Sequence, residues 1–73
     1  MAYVQSVSLE AVAYDAAAHV LRAKFRSNGR VVAYENVPQD VYDALIFADS
    51  MGGYFHDHIE SAYPAHEVAG EDP

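Results

Sequence analysis

The chain contains no cysteine, so neither a disulfide framework nor a thiolate metal site is open to it. No apolar run approaches the roughly 20 residues that a membrane span requires. The first residues also lack the basic-then-apolar pattern of a secretory leader, and a soluble cytoplasmic protein without membrane contact is expected. Basic residues are scarce: four, against eleven acids, for a formal charge of −7. Such a balance argues against broad, nonspecific binding to a phosphate backbone, which would be repelled at long range. Internal repeats and linkers are absent as well.

What is present is a single small domain. Of the 73 residues, 52% are apolar, too many for a disordered chain and enough for a modest core. Domains this small often gain stability by burying surface against a copy of themselves, so a homo-oligomer is expected. We read residues 1–68 as the domain and 69–73 as a loose acidic tail. The charges are segregated. Arg22, Lys24, Arg26 and Arg30 all fall within Ala16–Tyr34, which holds no acid, so that segment carries +4 and the remainder −11.

The segment Met1 to Ser8 reads as a short strand or an extended arm. Leu9–Asp15 alternates as a strand with Val12 and Tyr14 on one face. Asp15 to Ala18 connects it to His19–Arg26, where Leu21, Ala23 and Phe25 alternate with Arg22, Lys24 and Arg26, apolar groups on one face and cations on the other. Ser27-Asn28-Gly29 tolerates positive φ and predicts a hairpin, with Arg30–Val37 returning antiparallel. Pro38 suits a first helical turn, and Asp40 suits the positive end of the helix dipole. Val41, Ala44, Leu45 and Ala48 then recur at helical spacing, predicting a helix packed on the sheet. Asp49 to Gly53 is expected to end that helix through its glycines. Tyr54, Phe55, His58, Ile59 and Ala62 predict a second helical stripe, stopped by Tyr63-Pro64, and Ala65 to Val68 an edge strand. The fold class is therefore α+β: a curled antiparallel sheet of three to four strands with two short helices on one face.

Taken in order, "AVAYD", "LRAKFRSNGRVVAYENVP", "VYDAL" and "ADSMGGYFHDHIESAYP" resemble the KTSC domain over roughly Ser6 to Pro64. That family is named after a C-terminal segment of some lysyl-tRNA synthetases and also occurs as short bacterial or phage proteins. The resemblance implies an RNA-binding role, suggested for family members. Two departures bear on it. The family's central Tyr-x-Tyr falls on Val32-Ala33-Tyr34, which keeps only Tyr34, and the basic residues near its C-terminal end are replaced by Glu60, Ser61 and Ala62.

Little of the sequence points to a reaction. Gly52-Gly53 lacks the spacing and the following Lys-Ser/Thr of a phosphate loop, and Tyr54-Phe55 follows instead, so a structural turn is expected. His56 and His58 are two apart and diverge on a helix, which gives no metal site; His58 is expected to pack beside Phe55 and Ile59. No nucleophile motif is present, and the pairs Asp40/Asp43 and Asp57/Glu60 read as a solvated anionic face. The expected protein is therefore no enzyme and needs no cofactor. Two binding readings compete. In one, an anionic ligand (a nucleotide or RNA segment) meets a basic hairpin face of Arg22, Lys24, Arg26, Arg30 and Tyr34. In the other, a phage or bacterial accessory or inhibitor protein engages a basic protein partner through Asp40, Asp43, Asp49, Asp57 and Glu60.

Overall fold

The computed structural model describes Ala2–Tyr3 and residues 8–68. The expected tail at 69–73 lies outside the described residues. The element order is β1 (Ala2–Tyr3), β2 (Leu9–Asp15), β3 (Val20–Phe25), β4 (Val31–Tyr34), α1 (Gln39–Phe47), α2 (Met51–His58) and β5 (Ala65–Val68). The five strands form one antiparallel sheet in chain order, and both helices lie in the connection from β4 to β5. The four longer strands and two helices are the expected α+β arrangement, with β1 as a two-residue addition.

The turns follow from the side chains that make them. Asp15 Oδ1 accepts from the backbone N–H groups of Ala17 and Ala18 at 3.1 and 3.2 Å, and His19 completes the reversal at φ 56°. In the hairpin, Asn28 Oδ1 accepts from the Arg30 N–H at 3.0 Å. Gly29 sits at φ 71°, where a Cβ would be strained although nothing crowds it. The last turn before α1 uses Asn36 at φ 63°, which ends the strand earlier than Val37.

The core lies between the sheet and the helices: Leu9, Val12, Leu21, Ala23, Tyr34, Val37, Leu45, Phe55 and Ile59. Leu9 and Val12 both enter it, which strict alternation forbids. The register between β2 and β3 shifts between Leu9 and Ala11, so Glu10 is an extra residue, and this bulge returns Val12 to the core face. On α1, Leu45 is fully buried and Val41 and Ala48 half-buried; Ala44, expected to face the sheet, is exposed because the packed stripe runs to its other side.

The glycine pair is placed differently from its reading as a helix stop. α1 ends at Phe47 with Ala48 as cap, and Gly52 and Gly53 form the first turn of α2. Ser50 caps that helix: its hydroxyl accepts from the Gly53 N–H at 3.1 Å. A Cβ on Gly53 would lie 3.1 Å from the same hydroxyl oxygen, so the glycine leaves room for the cap. Ser50→Ala should cost about 1 kcal/mol, read as a lower urea midpoint at unchanged slope. A variant as stable as the parent would show that the cap contributes nothing here.

Candidate functional site

Because Leu21, Ala23 and Phe25 face the helices, alternation turns Arg22 and Lys24 to the opposite, helix-free face of β3. Arg26 follows in the same alternation one residue past the strand, its N–H still donating to the Ser8 carbonyl at 3.0 Å. The register sets what flanks this row. Arg22 lies opposite Ala13 on β2 and Ala33 on β4, and Lys24 opposite Ala11 and Val31. The row thus stands over buried Ala11 and Ala33 and half-buried Ala13 and Val31, with Arg22 and Lys24 about 7 Å apart along the strand. Next to Ala33 on β5 is His66, whose Nδ1 lies 3.3 Å from a Glu35 carboxylate oxygen.

The cations differ in their engagements. Lys24 Nζ lies 3.8 Å from Glu10, the bulge residue, both half-buried. A guanidinium nitrogen of Arg26 donates to the Leu9 carbonyl at 3.2 Å. Arg22 is exposed, and no carboxylate among the described residues pairs with it.

Two of the five expected site residues are not part of this face. Arg30 lies across the hairpin from Phe25, on the helix side by alternation, and its Nη1 is 3.5 Å from Glu67 on β5. Tyr34 lies opposite Leu21 and is only 3% exposed, its ring packed edge-on against Phe55 at 5.2 Å. Burial, then the nearby Glu60, raises its hydroxyl pKa above the ordinary tyrosine value. A ring so held is a core residue and offers no surface for stacking a base. The hairpin turn carried the signal for both placements, since it sets which residues of β4 oppose which of β3.

The helices carry the acids. Asp40, Asp43, Asp49, Asp57 and Glu60 are all exposed. His56 is bonded to Glu60 one turn on, at 2.9 Å, and this hydrogen bond raises its pKa. His58, expected beside Phe55 and Ile59, instead faces outward and stacks on Tyr54 at 4.4 Å. Tyr14 and Tyr42 stack nearly parallel at 4.8 Å, and the Tyr14 hydroxyl donates to the Val37 carbonyl. Partial burial, then Asp43, Asp40 and Asp15, raise its pKa, which places that pair at the anionic end of α1. Phe47, which no sequence motif singles out, is the most exposed large apolar residue described, at 84%. Its signal was its place one turn after Asp43 on the outer side of α1.

These features define a class: a small α+β domain whose meandering sheet bears a cationic row on one face and an acidic pair of helices on the other. The chain belongs to the KTSC domain family, whose model matches residues 5–63. It is 42% identical over 53 residues to an uncharacterized protein of Stutzerimonas stutzeri, covering 73% of each chain. It is 32% identical over 62 residues to a protein of Tsukamurella paurometabola, covering 85% of this chain and 91% of the other. The fold is also that of the crystal structure of the KTSC domain protein YPO2434 from Yersinia pestis, with a TM-score of 0.86, 24% identity and coverage of 90% and 92%. Among the described residues no helix is long and apolar enough to cross a membrane.

Proposed function

We propose that this chain is a small non-enzymatic binding module that takes an anionic ligand, a nucleotide or RNA segment, on the helix-free face of its sheet. The observation that carries the reading is the Arg22, Lys24, Arg26 row on β3, flanked in register by Ala11, Ala13 and Ala33. Small neighbours leave long cationic side chains free to reach a phosphate, and among the described residues no carboxylate pairs with Arg22 that would have to be released first. The acids on the helices repel an extended duplex, while a short anion approaches the sheet side.

Titration of a labelled oligoribonucleotide and of a nucleoside triphosphate tests this. Arg22→Glu with Arg26→Glu should weaken binding at least tenfold and, for the oligoribonucleotide, flatten the log K against log salt slope by about 1.4, for two lost phosphate contacts. Arg30→Glu, on the other side of the hairpin, should change little. Binding indifferent to the double variant, or equally lost in both proteins, rejects the sheet face as the site.

A second reading, a module that engages a basic protein through its helices, is favoured by Phe47, exposed on the acidic α1.

A further inference from the structure

The outward side of α1 serves neither the core nor the sheet. At about 100° per residue, the positions turned away from Val41, Leu45 and Ala48 are Gln39, Asp40, Asp43, Ile46 and Phe47. All five are exposed. Asp43 stands one turn before both Ile46 and Phe47, so carboxylate and apolar pair are neighbours on one surface. Phe47 is 84% and Ile46 36% exposed. A single exposed apolar residue is ordinary. This pair is distinguished by its ionic surroundings, which are all of one sign: Asp40 and Asp43 on the helix, Asp49 two residues beyond it, and no base in the last turn.

A surface of that chemistry fits a cation standing beside small apolar residues, and this chain bears one. On β3, Arg22 lies between Ala13 and Ala33, with Val31 and Lys24 two residues along. Arg22 is exposed and no described carboxylate neutralises it. The two surfaces lie on opposite sides of the molecule, helices on one and the open sheet face on the other.

We propose that Phe47 and Asp43 of one copy dock on the Arg22 row of a second copy, in a head-to-tail interface. The Phe47 ring lies against the exposed Arg22 guanidinium beside half-buried Ala13, and Asp43 supplies the carboxylate that Arg22 lacks among the described residues. Knob and socket are different surfaces, so each added copy leaves one of each unfilled, and association continues into a ring or an open chain. The net charge of −7 opposes the approach of any two copies, which keeps the contact weak and concentration-dependent. The interface uses the face proposed for an anionic ligand, so second copy and ligand exclude one another there, but association of the free protein requires no ligand and is tested apart from that reading.

Sedimentation equilibrium over a range of protein concentrations, with circular dichroism as a check on folding, tests the proposal. The parent protein should increase in mean mass with concentration above the 8.0 kDa of one chain. A socket variant, Arg22→Glu, and a knob variant, Asp43→Lys with Phe47→Ser, should each associate at least tenfold more weakly. Mixed in equal amounts, they should form a one-to-one heterodimer and stop there. The socket variant retains its Phe47 and the knob variant its Arg22, so one sound interface forms and no second can. A parent protein monomeric at every concentration, folded variants that associate as well as the parent, or a mixture that stays monomeric would each overturn the proposal. A clean binding loss in the oligoribonucleotide titration with no change in mass would leave the ligand reading standing alone.

Discussion

Replacing Phe55 with alanine should reduce the stability of this domain by about 3–5 kcal/mol, the cost of a truncated buried aromatic ring. A chain of this size has only about 4–11 kcal/mol in total. Phe55 is 2% exposed and joins the layers: its ring meets Tyr34 of β4 edge-on at 5.2 Å and Phe25 of β3 at 5.7 Å. Leu21, Leu45 and Ile59 belong to the same cluster. With so few large residues in the core, neighbours cannot collapse into the vacated volume without exposing another apolar group, so the cavity persists. Urea titration should show the midpoint falling by about a quarter or more. Phe55→Leu, which keeps most of the volume, should lose much less, and the difference between the two variants separates filled space from ring geometry. A Phe55→Ala protein no weaker than Ser50→Ala would mean that the ring does not hold the layers together.

Leu45→Ala should cost about 2–5 kcal/mol, and its effect should be local. Leu45 is the one fully buried residue described on α1, a helix of nine residues, too short to persist alone in water. Pro38 caps it without a side-chain hydrogen bond, and its last turn carries no base to oppose the helix dipole. Packing through Leu45, with Val41 and Ala48 beside it, is therefore what keeps it folded. Amide hydrogen exchange should accelerate in α1 well before it does in β2, β3 and β4, whose mutual hydrogen bonds do not involve Leu45. Uniform acceleration through the sheet would show instead that α1 and the sheet unfold as one unit. Loss of α1 would also remove the Phe47 knob, which is why the association test relies on surface substitutions.

Much of the architecture was legible. β2 occupies the span Leu9–Asp15 read from the sequence, with Val12 and Tyr14 packed on the core side as alternation predicts. The Ser27 to Gly29 turn forms where expected, since Asn28 and Gly29 supply the bond and the positive φ that a tight reversal requires. The start of α1 beside Pro38 was legible, although Pro38 is the extended N-cap residue rather than part of the first turn. Other features were not legible. The bulge at Glu10 depends on Leu9 and Val12 both finding room beneath the helices, a fact about a cavity that three other elements build. In sequence, Gly53 signals a helix stop because glycine marks helix ends. Its actual reason is the Ser50 hydroxyl 3.1 Å away, a contact visible only once α2 begins at Met51.

The candidate site divides along the same line. That Arg22, Lys24 and Arg26 share a face is a local property, since alternate residues of a strand point the same way whatever surrounds them. The removal of Arg30 and Tyr34 from that face, and the pairings of Lys24 with Glu10 and Arg30 with Glu67, depend on which strands become neighbours. Charge segregation, the hairpin and the presence of two helices were thus determined by the order of residues alone, whereas the exact stripes were not: Ala44, His58 and Ala62 are exposed. Which cation meets no carboxylate among the described residues, which tyrosine is buried and which phenylalanine is left in water were decided by tertiary packing, because each depends on side chains brought from distant parts of the chain.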